Sequence, residues 1–418
     1  IVIISIAIPK FEIFQKLMDK INLLTRENLT GIRVIRALNK EDFEEKKFVK
    51  ANNELTKTDL SIVKVMQLQT PVMLLIFNGT SLLAIWVGIA RLGMDISYLG
   101  KMMAFMQYAT QVIMSFLFLT MLFVMIPRAN VSAKRINEVL MTESEIQFPE
   151  EMTEEPNVEA SVEFRHVDFR YGKSEGKVLE NISFKAEAGK TTAFIGSTGS
   201  GKSTLINLVP RFFDATAGEI LISGVDIKKY PEAMLMKRIG YVPQKGYLFA
   251  GTVRSNILFG VNEGSIESMK KAAKVAQAAE FINKMPEKYE SKIAEGGTNV
   301  SGGQRQRLSI ARALAKEPEI LIFDDAFSAL DMKTDSKLRE ALKAVTQNTV
   351  TLVVAQRIST IRDAEQIIVL DKGKIVGKGS HYELLDKCKV YLEIAKSQLS
   401  DDEIARELKI SKEKAGRK

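Results

Sequence analysis

One short stretch constrains the fold of this chain more than any other. Residues 196–204 read Gly-Ser-Thr-Gly-Ser-Gly-Lys-Ser-Thr, which matches the phosphate-binding pattern G-x-x-x-x-G-K-[ST]. An apolar run that predicts a buried strand, Thr191 to Ile195, comes before it, and residues that predict a helix, Leu205 to Val209, follow it. The motif requires this strand–loop–helix setting. The sequence therefore predicts an α/β domain that binds a nucleotide.

The residue types in the loop fit this chemistry. Its glycines allow backbone N–H groups to surround an anion, and the start of the following helix adds a positive dipole end. We expect Lys202 to reach the β- and γ-phosphates of ATP and the Ser203 hydroxyl to ligate Mg²⁺. The expected ATP-binding residues of the loop are Gly196, Ser197, Thr198, Gly199, Ser200, Gly201, Lys202, Ser203 and Thr204.

Two later segments and one aromatic residue complete this pattern. The apolar run Ile320–Phe323 ends in Asp324 and Asp325. Ligands of parallel sheets lie at the carboxyl ends of the strands, so we expect Asp324 to hold Mg²⁺ and Asp325 to face the γ-phosphate and a water. Residues 301–304, Ser-Gly-Gly-Gln, open an amphipathic helix and predict a second anion site. Tyr171, at the end of a strand pattern, could stack on a nucleotide base.

The first third of the chain predicts a membrane region. Residues 65–90 and 102–127 contain no charged residue, and each run exceeds the roughly 20 apolar residues that a spanning helix needs. We predict membrane helices over about residues 65–91 and 101–127, joined by a short hairpin link. The apolar start, Ile1 to Ile8, is interpreted as the end of another membrane helix in a chain whose N-terminal part is missing.

Residues 10–64 are charged, yet their apolar residues recur at three- and four-residue steps, which is typical of helices. We predict two helical arms in the cytosol, joined by an elbow at residues 39–42 with Asp42 as the cap of the second arm. A solvated coiled coil is the alternative interpretation of this segment. The predicted partial membrane domain covers residues 1–135.

Composition divides the rest of the chain. Residues 136–160 are acidic and predict a linker, residues 161–397 the nucleotide-binding domain, and residues 398–418 a charged tail. The formal net charge is +8, but the basic residues are scattered, which disfavours a nucleic-acid-binding protein. Cys388 is the single cysteine, which excludes an internal disulfide.

In this order, the motifs resemble those of the ATP-binding cassette (ABC) transporters, specifically exporters that fuse membrane and nucleotide-binding domains in one chain. The resemblance implies a helical membrane domain followed by an ABC-type P-loop domain. It also implies that the protein lies in the plasma membrane, with its nucleotide-binding domain on the cytoplasmic side. By resemblance, residues 40–47 are a coupling helix, which in this family docks on the opposite subunit. The implied site residues are the base-stacking Tyr171, Walker A residues 196–204, the Q-loop Gln244 near Mg²⁺, signature residues Ser301, Gly302, Gly303 and Gln304, Walker B Asp324, and the D-loop Asp331.

Two positions depart from the family pattern. The family usually has Glu where this chain has Asp325, and His where it has Gln356. A carboxylate that lies about 1 Å too far from the reacting water can cost on the order of 100-fold in rate, and Gln cannot carry a positive charge. With Lys202 and Gln244, these residues form the expected catalytic set.

We therefore predict that this chain's own site binds ATP and hydrolyses it slowly, which resembles the degenerate half of heterodimeric bacterial exporters. The second subunit would supply Glu and His, and its site would be completed by this chain's signature motif. The expected cargo is hydrophobic or amphipathic: a drug, a lipid or a peptide. A homodimeric exporter with slow turnover and a nucleotide-gated regulatory membrane protein are the alternatives.

Overall fold

The computed structural model describes residues 2–92, 97–152, 159–172, 176–261, 265–400 and 402–408. The chain forms two compact units, Ile1–Glu143 and Ser144–Lys418. The first unit consists of long helices and the second contains the sheets, as the change in sequence periodicity predicts.

The described helices of the first unit are α1 (Val2–Ala37), α2 (Glu41–Gln67), α3 (Gln69–Leu92) and α4 (Ser97–Leu140). The predicted elbow is present between α1 and α2, where Asn39 adopts a positive φ of 51°. The predicted cap was wrong. Lys40 is the N-cap residue and provides no side-chain cap, while Asp42 lies within the first turn of α2. A carboxylate there still favours the helix, because it faces the positive end of the helix dipole.

Helices α3 and α4 contain the two charge-free runs. Between Glu41 and Ile89, the described helices include an apolar window long enough to cross a membrane, with mean hydropathy 2.0. Large apolar side chains of α3 are exposed, including Trp86 at 75%. Gly88 packs against the Met102 side chain of α4, where a Cβ would lie 2.5 Å from Met102 Sδ. Spanning by α4 stays a prediction.

The link between these helices is shorter than predicted. Residues 97–100, which fall in the predicted hairpin link between residues 91 and 101, already lie within α4. Residues 93–96 lie outside the described residues. At its other end, α4 continues to Leu140, so the start of the predicted acidic linker, residues 136–140, is helical.

The second unit contains a larger, mainly parallel sheet and a smaller antiparallel one. In the described chain, the larger sheet has the strand order β12-β11-β3-β10-β9-β6 and the smaller one β2-β1-β4-β5, while β7 pairs with β8. The strands are β1 (Ser161–Phe169), β2 (Leu179–Glu187), β3 (Thr191–Gly196), β4 (Ala217–Ile222), β5 (Val225–Asp226), β6 (Ile239–Val242), β7 (Gly251–Thr252), β8 (Lys292–Ile293), β9 (Ile320–Asp324), β10 (Val350–Val354), β11 (Gln366–Asp371) and β12 (Lys374–Gly379).

Both faces of the larger sheet are buried. Along β9, Leu321 and Phe323 belong to one apolar cluster, while Ile320 and Ile322 belong to the other. Parallel strands covered on both faces read as continuous apolar runs, which is why this segment could be recognised in the sequence.

The α-helices of the second unit are α5 (Lys202–Leu208), α6 (Glu232–Arg238), α7 (Val253–Ile257), α8 (Ile266–Val275), α9 (Ala279–Lys284), α10 (Gly302–Ala315), α11 (Met332–Val345), α12 (Ile358–Ile361), α13 (His381–Lys387) and α14 (Lys389–Lys396).

The second unit extends further along the chain than we predicted. Residues 402–408 are helical, and two of their side chains, Ile404 and Glu407, are 5% and 7% exposed. Glu407 bonds to the buried His381. The predicted charged tail therefore begins with residues that pack into this unit, while residues 409–418 lie outside the described part.

Candidate nucleotide-binding site

Many of the predicted site residues meet in one cleft because they follow neighbouring parallel strands. Strands β3, β10, β9 and β6 pair in parallel, with Val354 opposite both Phe194 and Asp324. Their carboxyl ends therefore lie along one edge of the sheet, where ligands of such sheets bind. A cleft of about 550 Å³ opens at this edge. Its lining includes Gly196, Ser197, Thr198, Gly199, Gly201, Lys202, Ser203, Thr204, Gln244, Asp324, Asp325 and Gln356.

The glycine-rich loop wraps one side of the cleft. Gly201 has a φ of 97° and precedes α5, while a Cβ at Gly196 would clash with the Leu370 carbonyl. Lys202 Nζ donates to the carbonyl oxygens of Gly196 and Ser197, each at 2.8 Å. Burial lowers the pKa of Lys202, and the Coulomb attraction of Asp325 and Asp324 opposes that shift. The loop thus holds an ammonium group among backbone groups at the mouth of the cleft.

Asp324 lies beside the start of α5. The Ser203 hydroxyl donates to Asp324 Oδ1 at 3.0 Å. The Tyr241 hydroxyl lies 3.5 Å from the other carboxylate oxygen and donates to Asn207 Oδ1 at 3.0 Å. Burial is the main reason that the pKa of Asp324 is raised, with the bond from Ser203 acting in the opposite direction. The pair of Ser203 and Asp324 places two hard oxygen atoms next to the loop.

Asp325 joins two of the other predicted residues. Its Oδ2 atom accepts hydrogen bonds from Gln356 Nε2 at 2.8 Å and from Gln244 Nε2 at 3.2 Å. Its backbone adopts the left-handed region, with a φ of 47°, and its N–H donates to Val354 O at 3.0 Å. Burial raises the pKa of Asp325, and hydrogen bonds from Gln244 and Ser328 partly offset this. The two glutamines therefore fix one carboxylate in the lining of the cleft.

Tyr171 lies next to the loop. Its hydroxyl is 3.0 Å from the Thr204 hydroxyl, and its ring contacts Phe169 and Phe213 edge-on. The side chain remains accessible, since the residue is 41% exposed. Ser200, by contrast, is the buried member of the loop, 2% exposed, and it does not line the cleft.

The remaining predicted residues start helices. Ser301 caps α10 in a reciprocal capping box with Gln304, and Gly302 and Gly303 form its first turn. Asp331 caps α11 by accepting from Thr334 N at 2.9 Å. Among the described residues, none of these lines the cleft. The backbone N–H groups at the start of α10 are therefore available to bind an anion outside this cleft.

Several residues that position the site were not predicted. Gln306 is 2% exposed, donates to Pro243 O and accepts from Gly246 N at 3.0 Å each. This ties α10 to the segment that carries Gln244. Gln398 and Ile394, from the C-terminal end, line the cleft. For Gln306, the signal available in the sequence was a Gln on the apolar face of the α10 helix, because a buried amide needs hydrogen-bond partners.

Comparison with known proteins places this arrangement in a family. A model described as "ABC transporter" matches residues 179–328, and one described as "ABC transporter transmembrane region" matches residues 2–116. The chain is 42% identical over 400 residues to an uncharacterised ABC transporter ATP-binding protein of Mycobacterium tuberculosis, covering 95% of this chain and 68% of that protein. The chain belongs to the ABC transporters.

Further ABC proteins are similar over nearly the whole chain. An ATP-dependent lipid A-core flippase of Syntrophus aciditrophicus is 36% identical over 395 residues, which is 94% of this chain and 65% of the flippase. A solved structure of a bacterial Atm1-family ABC exporter with ATP bound has a TM-score of 0.82 at 29% identity, covering 96% of this chain and 72% of that chain.

The comparisons confirm the predicted fold class, a helical transmembrane region followed by an ABC-type nucleotide-binding domain. The chain is an ABC exporter with fused membrane and ATP-binding regions, and an ABC-type ATPase. The match to the transmembrane region makes the chain a membrane protein.

Proposed function

We propose that this ABC exporter chain is one subunit of a dimer, and that it binds ATP firmly at its own site but hydrolyses it slowly. The observation that supports this most is the cleft in which Asp325, bonded to Gln244 and Gln356, lies beside an intact phosphate-binding loop. The binding residues are those of the family, whereas two residues at the reacting end are not.

Binding of ATP would use Lys202 and the backbone of the loop. Lys202 now bonds to two carbonyl oxygens, which are neutral acceptors. Phosphate oxygens are charged acceptors and form stronger bonds to an ammonium group. They would take over these bonds while the loop N–H groups close around the same anion. Tyr171 would stack its exposed ring on the adenine.

Magnesium would be held by Ser203 and Asp324. Mg²⁺ takes oxygen ligands at about 2.1 Å in an octahedron, so two adjacent ligands lie about 3.0 Å apart. The Ser203 and Asp324 oxygens are 3.0 Å apart, which fits this spacing. The side-chain oxygen of Gln244 is the third protein ligand we propose. Among the described residues there is no cluster of three or more His, Cys, Asp or Glu that could bind a metal ion, so water and phosphate oxygens would complete the shell.

Slow hydrolysis follows from the groups around the γ-phosphate position. Asp325 would polarise the attacking water, but its short side chain leaves the carboxylate too far from that water, although Gln244 and Gln356 fix its orientation. Gln356 donates one of its two amide hydrogens to Asp325 and, unlike His, cannot bring a positive charge to the phosphate. Both differences lower the rate of the chemical step and leave the phosphate-binding contacts intact.

A second chain would complete each site. The signature residues Ser301, Gly302, Gly303 and Gln304, with Asp331, lie at helix starts away from this chain's own cleft. Head-to-tail closure of two nucleotide-binding domains would put them against the ATP of the partner. We propose a partner that has Glu and His where this chain has Asp325 and Gln356, so that the partner's site does most of the hydrolysis.

The membrane unit would pass hydrophobic or amphipathic cargo out of the cytoplasm across the plasma membrane. Its helices α3 and α4 expose large apolar side chains, such as Leu82 at 69% and Met103 at 65%, which suits contact with lipid or apolar cargo. The relatives named lipid A-core flippases make lipid the first cargo class to test. The nucleotide-binding unit would face the cytoplasm, where ATP is present.

Native mass spectrometry of the complex purified through a tag on this chain tests the partnership. We expect two different chains in one complex, the second with Glu and His at the matching positions. A complex of two identical chains would instead identify a homodimer. Uptake of labelled lipid into inverted vesicles, with and without ATP, tests export; loss of ATP-dependent uptake in Lys202→Ala is the expected control. ATP binding that opens a pathway without sustained turnover would indicate a nucleotide-gated regulatory protein.

A further inference from the structure

The segment that carries Gln356 is short and leads into a helix that lacks a side-chain cap from its own N-cap residue. It connects the end of β10, at Val354, to α12, which begins at Ile358. The first N–H groups of a helix have no partner inside the helix and are normally capped by a side chain. The N-cap residue of α12, Arg357, provides no side-chain cap. The Ile358 N–H therefore needs an acceptor from another part of the chain.

Gln398 supplies that acceptor from the C-terminal end. Its Oε1 atom accepts from Ile358 N at 2.9 Å, and its Nε2 atom donates to Gln356 O at 2.8 Å. One side-chain amide thus bonds to the backbone on both sides of Arg357. Because an amide is planar, two such bonds fix the orientation of the segment and not only its distance. The Gln356 side chain then reaches Asp325 at 2.8 Å.

The amide is itself held in place by α14. Gln398 follows this helix and its N–H donates to Ala395 O at 3.0 Å. Tyr391 and Ala395 of α14 are fully buried, so the helix is packed firmly into the domain. A second link lies at the far end of α12, where Arg362 pairs with Glu407 at 3.0 Å. The C-terminal part of the chain therefore bonds to both ends of α12.

We propose that Gln398 is a positioning residue for ATP turnover. It holds the segment Gln356–Ile358 so that the Gln356 amide stays on Asp325, and it acts from the cleft wall without contacting the reacting atoms. This inference depends on the proposed function, in which Asp325 and Gln356 act at the chain's own site. A movement of α14 would release the segment and lower the rate at that site.

The test measures cleavage of radiolabelled ATP in a single turnover, with the full chain in lipid nanodiscs and in excess over ATP, because this resolves slow rates. Gln398→Met keeps the length of the side chain and removes both bonds. We expect it to slow cleavage about tenfold while the Kd for ATP stays within about twofold, since a misplaced group affects the reacting geometry and not the phosphate contacts. Gln347→Met, at an exposed glutamine of the same domain, is the matched control and should behave like wild type.

A double-mutant cycle separates positioning from a general structural effect. If Gln398 acts through Gln356, then Gln398→Met should change the rate less than twofold in a Gln356→Ala background. The same tenfold loss in both backgrounds, or a wild-type rate in Gln398→Met, would overturn the inference. Should Gln398→Met fold poorly, Gln398→Leu also removes both bonds without adding a charge, and its loss of rate should likewise disappear in the Gln356→Ala background.

The absolute rate of the wild-type chain tests the proposed function separately. A fast wild-type rate would contradict the slow-site proposal, yet the ratio between the Gln398 variants would still decide the positioning role. The two failures are therefore distinguishable.

Discussion

Lengthening the carboxylate at position 325 should accelerate ATP hydrolysis at this chain's own site. In the structure, Asp325 Oδ2 is held by Gln356 and Gln244 at 2.8 and 3.2 Å. Asp325→Glu adds one methylene and moves the carboxylate forward by about 1–1.5 Å. Since a misplacement of about 1 Å can cost about 100-fold, we expect turnover to rise by about 10- to 100-fold. The upper figure corresponds to about 2.7 kcal/mol of barrier height.

The affinity for ATP should stay unchanged although turnover increases. The groups expected to hold the triphosphate are Lys202, Ser203 and the loop backbone, which Asp325→Glu leaves unchanged. We therefore expect the Kd of a fluorescent ATP analogue to stay within about twofold. Stability should not increase either, because position 325 has a φ of 47°, which Asp tolerates better than Glu.

Phosphate release from the purified chain in nanodiscs, at saturating Mg²⁺ and ATP, measures the effect. Asp325→Asn is the matched control, because it keeps the shape and removes the charge, and it should lower turnover below the wild-type rate. An unchanged rate in Asp325→Glu, with ATP binding intact, would refute the argument that the short side chain limits the reaction. An unchanged rate in Asp325→Asn would show that this carboxylate takes no part.

Three other predictions follow from charges in the second unit. Lys202→Met should weaken ATP binding by at least tenfold, measured with the same fluorescent analogue; an unchanged Kd would remove Lys202 from the site. Burial raises the pKa of Asp325, so its charge destabilises the fold above the ordinary carboxyl pKa of about 4. Asp325→Asn should raise the thermal midpoint at pH 7.5, and the gain should vanish near pH 4; a lower midpoint at pH 7.5 would contradict this. Burial lowers the pKa of His381, with Glu407 opposing the shift, so its contribution to stability is present above about pH 6.5 and is lost as the pH falls. Acidification from pH 7.5 to 5.5 should therefore lower the midpoint of wild type more than that of His381→Gln, and equal losses would contradict the assignment.

Prediction from the sequence was most successful for residues that directly follow a predicted strand. Residues 196–204, Asp324 and Asp325 could be placed together because parallel strands bring their carboxyl ends to one edge, and an apolar run marks each strand. Gln356 follows such a strand as well. The expected roles of these residues follow from local sequence patterns, and one sequence is enough to show such patterns.

Side-chain partners that come from distant parts of the chain could not be predicted. Gln306 and Gln398 belong to no local motif, and each bonds to a segment about 40 to 60 residues away in sequence. The predicted cap Asp42 shows the same limit at short range. The positive φ of Asn39 moves the start of α2, so that Lys40 becomes the N-cap residue, and a residue pattern alone does not determine that backbone angle.

The fate of ATP bound to the chain alone tests the central claim most directly. Purified chain is incubated with Mg²⁺ and ATP, freed of unbound nucleotide, and its bound nucleotide is identified by chromatography over time. If the chain's own site binds ATP and hydrolyses it slowly, about one nucleotide per chain should be recovered, and it should remain largely ATP. Rapid conversion to ADP with continued turnover, abolished in Asp325→Ala, would contradict the account.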